Sequence, residues 1–320
     1  TQKHPPQAIH GSCSFVIMGC ANARGRISGR ACGYKKDCER MYSAQSVNES
    51  SRLWDPWSAT VRMERQHIKA RWHCNSLYSN SSKSNLAPVG ETGAYCYTKP
   101  SRLVVLSGAH AYRQPACYNY SADAVIVEQL IALLHRPEGR PAGAALHGPE
   151  WFAYDSLNDF GAGAGQYGHA LRAVDTRVRW RGWDGAGNVE DWTRGFVEWF
   201  DLTLPTLSLP RADWVMCLEV AEHIPAEHEA TVVRNLHAHN CRGIILSWAE
   251  LGQFGHNHLN NHNATYVTSI FIQLGYAYDK STSLLFQSSA VRSDAVRGLP
   301  LGVFPWNRRT LVFRRQHPVC

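Results

Sequence analysis

The sequence predicts an α/β fold with a mostly parallel sheet, preceded by an irregular, cysteine-rich extension. From about residue 150 onward, strand-like and helix-like stretches alternate, which is typical of parallel strands joined by crossover helices. Seven of the ten cysteines fall within the first 117 residues, where hydrophobic periodicity is weak. The 320-residue chain is 44% hydrophobic and 18% charged, a composition that supplies a core and argues against disorder and coiled coil.

Three parts are expected along the chain. Residues 1–120 form the cysteine-rich extension, and residues 121–149 hold one helix followed by a linker. The helix is predicted over 122–135, where apolar side chains recur at helical spacing. Prolines and glycines after it mark the linker. Residues 150–320 form the main domain.

The elements of the main domain follow from hydrophobic runs and the turn residues between them. In order, we predict a strand at 156–160, a helix at 166–174, strands at 178–183, 196–200 and 214–218, a helix at 227–237, a strand at 243–248, a helix at 265–274, and closing strands at 276–278 and 310–313. Gly275 directly follows the last of these helices, where glycine is favoured.

The segment DFGAGAGQYG, residues 159–168, lies between a predicted strand and a predicted helix. Its glycines let the backbone approach a ligand closely, and the helix start offers free N–H groups. Residues 163–168 also match G-x-G-x-x-G, the pattern of dinucleotide-binding loops. Asp184, at the end of the next strand, is placed to accept ribose hydroxyls. The glycine pattern alone therefore leaves a nicotinamide or flavin cofactor and other nucleoside cofactors open.

Asp159, two residues before Gly161, completes the pattern D-x-G-x-G-x-G. This resembles motif I of class I S-adenosylmethionine-dependent methyltransferases, and the resemblance extends over roughly residues 150–315. It implies a Rossmann-like sheet that binds S-adenosylmethionine, with Asp184 on the ribose and a residue after the third strand on the adenine. The cofactor-binding residues implied are Asp159, Gly161, Gly163, Gly165, Asp184, Asp201, Leu202 and Glu219.

The segment LEVAEHI, residues 218–224, follows the fourth strand. It resembles the E-x-x-E-H signature of ubiquinone-biosynthesis O-methyltransferases and small-RNA 2′-O-methyltransferases. The resemblance implies a divalent cation, Mg²⁺ or Mn²⁺, on Glu219, Glu222, His223 and His258. The last comes from the histidine-rich loop after strand five, residues 256–262. An alternative needs no metal: His223, His256 and His258 serve as catalytic bases or acceptor ligands, since neutral imidazole suits either role. A third possibility is that Glu222 and His223 only open the next helix.

Cysteines and sequons bear on location. The extension's cysteines lack the short spacings of zinc or redox motifs, so disulfides that tie it to itself or to the main domain are expected. Asn-x-Ser/Thr sequons occur at Asn48, Asn80, Asn119 and Asn263. Together these features predict the secretory lumen or the outside of the cell; a cytosolic enzyme with unpaired cysteines is the alternative.

The net charge of +7 is scattered along the chain, which argues against nucleic acid as a partner. No apolar run is long enough to span a membrane.

The function predicted is an S-adenosylmethionine-dependent O-methyltransferase that acts on a hydroxyl of a glycan or small molecule in the secretory pathway. Two alternatives stay open. One is an NAD(P)-dependent oxidoreductase, which the literal G-x-G-x-x-G match supports. The other is a non-catalytic secreted binding protein that retains the fold.

Overall fold

The computed structural model describes residues 56–80, 89–90, 92–97, 101–107, 110–115, 121–136, 153–206, 208–288, 293–303 and 305–320. Before the central sheet lie α1 (Pro56–Asn80), β1 (Ser101–Ser107), β2 (His110–Pro115), α2 (Ala124–Leu134), β3 (His135–Arg136) and β4 (Ala153–Tyr154). The main domain contains β5 (Leu157–Phe160), α3 (Gln166–Val174), β6 (Trp180–Asp184), α4 (Val189–Thr193), β7 (Val197–Trp199), β8 (Ala212–Cys217), α5 (Glu229–Ala238), β9 (Asn240–Leu246), α6 (Ala264–Gln273), β10 (Tyr276–Tyr278), α7 (Lys280–Phe286) and β11 (Leu311–Arg315). Within these residues, no helix is both long and apolar enough to cross a membrane.

The central sheet has seven strands in the order β10-β11-β9-β8-β5-β6-β7. Strands β5 to β9 run parallel, whereas β11 is antiparallel to both β9 and β10. The chain moves outward from β5 to β7 and then returns to the other side of β5 as β8. This reversal leaves a crevice at the carboxyl ends of β5 and β8, where ligands bind in open α/β sheets.

The seven-stranded, mostly parallel sheet confirms the predicted α/β fold class with a Rossmann-like sheet. The dinucleotide-binding alternative is associated with six strands in the order 3-2-1-4-5-6. Here an antiparallel seventh strand, β11, lies between β9 and β10. The topology therefore departs from that alternative at the β9 edge of the sheet.

Helices cover both faces of the sheet and bury its two apolar surfaces. On one face, Leu130 of α2, Leu171 of α3 and Phe286 of α7 belong to one buried cluster. On the other face, Leu236 of α5 and Phe271 of α6 belong to a second. Parallel strands with both faces covered read as continuous apolar runs, which explains why their sequence signal was strong.

Most predicted elements of the main domain are confirmed, with helix 166–174 matching to the residue. The strand predicted at 243–248 instead begins at Asn240, because that polar side chain is buried and donates to Leu236 O and Tyr276 Oη, both at 2.8 Å. The short helix α7 was not predicted. Its start is fixed by Asp279, whose carboxylate accepts from the Thr282 N–H at 3.0 Å.

The extension contains a helix that its sequence pattern did not predict. Helix α1 has 25 residues and a polar composition, so contacts with the main domain stabilise it rather than an apolar stripe of its own. His67 stacks on Trp199 with ring centroids 4.4 Å apart, and Arg71 forms an ion pair with Asp191 at 2.6 Å.

A disulfide between Cys74 and Cys96 joins α1 to residues 92–97, a segment called the strap below. This pair confirms the expectation that a disulfide ties the extension to itself. A second disulfide, Cys241–Cys320, joins β9 to the C-terminus and was not predicted, while Cys217 is a buried free thiol. The remaining cysteines lie outside the described residues: Cys13, Cys20, Cys32, Cys38 and Cys117.

Candidate functional site

A cavity of about 390 Å³ lies at the carboxyl ends of the parallel strands. Its walls come from the glycine loop after β5, the ends of β6, β7 and β8, the strap, and the histidine-rich loop. The predicted site residues that line it are Gly161, Gly163, Asp184, Asp201, Leu202, Glu219, His223, His256 and His258. The glycine loop, the segment after β8 and the histidine-rich loop therefore all line the same cavity.

The glycine loop has a backbone that only glycine adopts readily. Gly161, Gly163 and Gly165 have φ of +76°, +59° and +79°, in the left-handed region. A Cβ on Gly161 would collide with the Val220 side chain, and one on Gly165 would lie 2.6 Å from Phe196 Cδ1. The three glycines thus let the loop turn tightly between β5 and α3 while keeping the cavity clear.

Asp184 holds this loop in place from the end of β6. Its Oδ2 accepts from the Gly163 N–H at 2.9 Å, and its Oδ1 accepts from the Ala186 N–H at 2.8 Å. Burial raises the pKa of Asp184 to about 6, with both backbone N–H groups acting in the opposite direction. Each carboxylate oxygen retains a further lone pair, so the side chain can also accept from a ligand in the cavity.

Asp201 and Leu202 follow β7 and line the cavity beside Phe200. The Asp201 Oδ1 accepts from Thr203 N at 2.9 Å and from Thr203 Oγ1 at 2.8 Å. This carboxylate therefore also closes the turn after β7. Phe200 and Leu202 give this part of the cavity an apolar wall, suited to a flat aromatic base.

Asp159 is not among the residues that line the cavity, although the sequence placed it with the cofactor ligands. It is buried beneath the loop, where Oδ2 accepts from Trp180 Nε1 at 3.1 Å. Burial raises its pKa to about 8, and the charge of Asp184 acts in the same direction. Gly165 likewise shapes the loop at the start of α3 without lining the cavity.

Two glutamates follow β8. Glu219 lines the cavity with φ of +54°, and its N–H donates to Ser247 Oγ at 2.8 Å. Glu222 is fully buried, and burial together with the charge of Glu219 raises its pKa to about 8. Within the described part of the chain, neither Glu222 carboxylate oxygen has a partner with hydrogen-bond geometry, though the backbone of Ala249 lies near enough to lower its pKa.

His223 lies beside these glutamates and touches the strap. Its Nδ1 is 2.9 Å from Tyr95 Oη and 3.3 Å from the carbonyl oxygen of Asn257. Burial lowers the pKa of His223 to about 4, so the ring is neutral at pH 7 and one of its nitrogens carries a free lone pair.

His258 and His256 come from the histidine-rich loop but differ in their surroundings. The His258 ring centroid is 4.9 Å from that of His223, and burial lowers the pKa of His258. His256 is exposed, and its carbonyl oxygen accepts from Tyr95 Oη at 2.6 Å.

The metal-ligand set proposed from the sequence is assembled only in part. Donor atoms of Glu222, His223 and His258 all lie within 4.8 Å of one another. Among the described residues, the group formed on this criterion does not include Glu219. Glu219 instead lines the cavity itself.

A buried carboxylate fixes the histidine-rich loop against α5 and α6. Glu229 accepts from His262 Nε2 at 2.6 Å, from Tyr266 Oη at 2.6 Å and from Asn260 Nδ2 at 3.0 Å. The N–H groups of Leu259 and Asn260 also donate to the carbonyl oxygen of Glu222. His262, the third histidine of the loop, therefore holds the loop in position.

The sequence did not predict that the strap belongs to the site. Its six residues, 92–97, form one wall of the cavity. Tyr95 contacts His223 across 128 positions of sequence. No local pattern marks this contact, because the strap has neither strand nor helix periodicity. The single available signal was a cysteine flanked by two tyrosines in the segment Tyr95-Cys96-Tyr97.

No protein-family model and no curated protein matches the chain. Solved structures do. Magnesium protoporphyrin IX methyltransferase from Synechocystis PCC 6803, with bound S-adenosylhomocysteine, is 18% identical at a TM-score of 0.37; the match covers 60% of this chain and 83% of that one. A TehB-like SAM-dependent methyltransferase from Corynebacterium glutamicum is 14% identical at a TM-score of 0.39, covering 62% and 90%. The strand order of the central sheet, rather than these similarities, establishes the fold.

Proposed function

We propose that the protein is an S-adenosylmethionine-dependent O-methyltransferase. One observation carries the proposal: a single cavity is lined both by the glycine loop with Asp184 and by His223 with His258. A nucleoside cofactor at the first end and a hydroxyl acceptor at the second would then meet within one enclosed space. Holding two reactants in this way supplies much of the rate of a bimolecular transfer.

The residues at the first end fit S-adenosylmethionine. Gly161 and Gly163 leave room for close approach of the ligand, and Asp184 offers a half-buried carboxylate to a pair of ribose hydroxyls. The apolar wall at Phe200 and Leu202 fits an adenine ring. Glu219 and Asp201, which also line the cavity, are the further acidic groups available to the cofactor's amino groups.

The second end fits deprotonation of a hydroxyl. When bound, S-adenosylmethionine supplies an electrophilic methyl group on a sulfonium sulfur, so a C–O bond forms as the C–S bond breaks. The acceptor hydroxyl must lose its proton in this reaction, and a neutral hydroxyl needs a base for it. His223 is neutral at pH 7 and can take that proton on its free ring nitrogen. His258 and the more exposed His256 are the other imidazoles at this end.

A divalent metal is a second way to assist the same hydroxyl. The observation that favours it is Glu222, a fully buried carboxylate. Among the residues that the structure describes, its oxygens have no partner with hydrogen-bond geometry, and one of them groups with ring nitrogens of His223 and His258, all within 4.8 Å of one another. One carboxylate with two imidazoles suits Mn²⁺ better than Mg²⁺, which prefers oxygen ligands. Glu222, His223 and His258 would hold the ion, which would lower the pKa of the acceptor hydroxyl.

The acceptor class that we propose is a hydroxyl of a glycan or small molecule, in the secretory lumen or outside the cell. Support for the location comes from the Cys74–Cys96 and Cys241–Cys320 disulfides, since disulfides persist in oxidising compartments. The sequon at Asn263 is exposed at the start of α6, where a glycan could be attached. Asn48 and Asn119 lie outside the described residues.

The test is ligand-dependent stabilisation of the intact protein. We expect S-adenosylmethionine and S-adenosylhomocysteine each to raise the melting temperature, since a ligand that binds only the native state stabilises it. NAD⁺ should leave it unchanged. Stabilisation by NAD⁺ alone would favour the oxidoreductase, and stabilisation by none of the three would favour a binding protein without this activity.

The metal is tested separately, by transfer of radiolabelled methyl groups to a panel of oligosaccharides and phenols. Activity that is lost with chelator and restored by Mn²⁺ supports the metal. Activity that resists chelation would leave His223 as the base without a metal.

A further inference from the structure

Two oxygen atoms face the same ring nitrogen of His223. The carbonyl oxygen of Asn257 lies 3.3 Å from Nδ1, and a carbonyl can only accept a hydrogen bond. Tyr95 Oη lies 2.9 Å from the same atom. The proton of this hydroxyl is directed at the carbonyl oxygen of His256, which is 2.6 Å away. Its oxygen is therefore left to accept from His223.

A single proton arrangement satisfies all three contacts. The proton must be on Nδ1 of His223. Otherwise the lone pair of Nδ1 would face the carbonyl oxygen of Asn257, and Tyr95 Oη could donate to Nδ1 only by giving up the carbonyl oxygen of His256. A neutral imidazole carries one ring proton, so in this tautomer Nε2 is unprotonated. That nitrogen is in the state that either a general base or a metal ligand requires.

Tyr95 is held on both sides by contacts that the strap makes. Cys96, the next residue, is bonded to Cys74 of α1. The N–H of Tyr97 donates to Asn188 Oδ1 at 3.0 Å, and Asn188 Nδ2 donates to Tyr97 O at 2.8 Å. On the other side, Gly93 has φ of +88°, and a Cβ there would collide with the carbonyl of His223. The strap thus lies directly on the residue that it orients.

We propose that Tyr95 is a positioning residue that keeps the proton of His223 on Nδ1 and so leaves Nε2 free in the cavity. The extension, which lies outside the methyltransferase core, thereby completes the acceptor end of the site. The use of Nε2 in methyl transfer rests on the proposed function, whereas the tautomer itself does not.

The experiment is ¹⁵N NMR of the histidine ring nitrogens in protein labelled at histidine, with His223 assigned through His223→Gln. In the wild-type protein we expect the Nδ1 shift of a protonated nitrogen and the Nε2 shift of an unprotonated one. In Tyr95→Phe the shorter of the two acceptors is lost, so both shifts should move toward the average of the two tautomers. Unchanged shifts in Tyr95→Phe, or a wild-type protein with the proton on Nε2, would overturn the proposal.

Tyr154→Phe is the matched control. It removes a hydroxyl that donates to Asp175 Oδ2 at 3.1 Å, outside the cavity, and should leave the His223 shifts unchanged. Movement in this variant too would show that any loss of a tyrosine hydroxyl disturbs the ring, and would count against a specific role for Tyr95.

Calorimetry with S-adenosylmethionine separates this proposal from the proposed function. We expect wild-type protein and Tyr95→Phe to bind it with affinities within about threefold, because Asp184 and the glycine loop are unchanged. Wild-type protein that fails to bind would defeat the proposed function while leaving the tautomer result intact. Normal binding with an unchanged tautomer in Tyr95→Phe would defeat the proposal alone.

Discussion

The two ends of the cavity are built in different ways. The centre of the proposed cofactor end is local: the glycine loop, Asp159 and Asp184 lie within 26 residues, on two adjacent strands and the loop and helix that join them. The acceptor end is assembled from distant segments, since His223 follows β8, His258 comes from the loop after β9, and Tyr95 comes from the extension. A local site can be predicted from a motif, whereas an assembled one depends on tertiary contacts that no motif encodes.

The largest effect that would test the local end is expected from Gly161→Ala. A side chain there would have to adopt φ of +76° and would also collide with Val220. Left-handed strain and overpacking together cost roughly 2–4 kcal/mol, which the free protein escapes by moving the loop. Restoring the loop for binding should then lower the affinity for S-adenosylmethionine by about 30- to 1000-fold in calorimetry.

Gly195→Ala is the control for this experiment. Gly195 has the same φ of +76°, but a Cβ there would have no atom within 4 Å, so the variant reports the backbone strain alone and should bind normally. Adding Val220→Ala to Gly161→Ala should recover part of the affinity. No recovery, with normal folding, would mean that the contact with Val220 does not limit the loop.

Asp184→Asn should have the next largest effect. Asp184 now accepts hydrogen bonds from the N–H groups of both Gly163 and Ala186. The substitution removes the charge and replaces one of the two acceptor oxygens with an NH₂ group, which cannot accept from either N–H. Hydrogen bonds to charged groups contribute about 1.5–3 kcal/mol, so the dissociation constant should rise by about 10- to 100-fold. The exposed Asp294, which pairs with Arg297, provides the control Asp294→Asn. Equal affinities for both variants would remove Asp184 from the cofactor site.

How much could be predicted from the sequence follows the same division. Alternating buried strands and helices gave the sheet, and the spacing of Asp159, Gly161 and Asp184 gave the loop. The role of Asp159 could not be predicted, because its partner Trp180 is 21 residues away and gives no motif. The contact of Tyr95 with His223 depends on how α1 docks. That docking rests on ring stacking and ion pairs of a polar helix, which leave no hydrophobic period in the sequence.

The pH dependence of stability tests the buried carboxyl at the cofactor end. With its pKa raised to about 8, Asp159 stays protonated in the native state up to that pH, but it ionises near pH 4 when unfolded. Between these values the native state binds one more proton, so the free energy of unfolding decreases as pH rises. Asp159→Asn lacks this dependence, so its stability relative to wild type should increase with pH between pH 4 and pH 8, by up to about 1.4 kcal/mol per pH unit.

Asp175→Asn is the control for this titration, since hydrogen bonds from Arg177 lower the pKa of Asp175 to about 2. The stabilisation that this carboxylate contributes is lost only as pH falls below about 4. The stability difference between Asp175→Asn and wild type should therefore stay constant from pH 5 to pH 9 in urea unfolding. A constant difference for Asp159→Asn as well would show that the Asp159 carboxyl is ionised in the native state.

The smallest effect is expected at the junction between the two ends, where Asn188 joins the strap to the start of α4. Its side chain forms two hydrogen bonds with the backbone of Tyr97, and Asn188→Ala would remove both. The net cost of such bonds is about 1 kcal/mol each. Since the strap forms one wall of the cavity, affinity for S-adenosylmethionine should fall only several-fold.

In the same variant, amide exchange of residues 92–97 should increase, while that of β5 and β8 stays unchanged. Faster exchange throughout the sheet would instead mean that the extension stabilises the whole fold, and that the assembled end of the site is not independent of the local one.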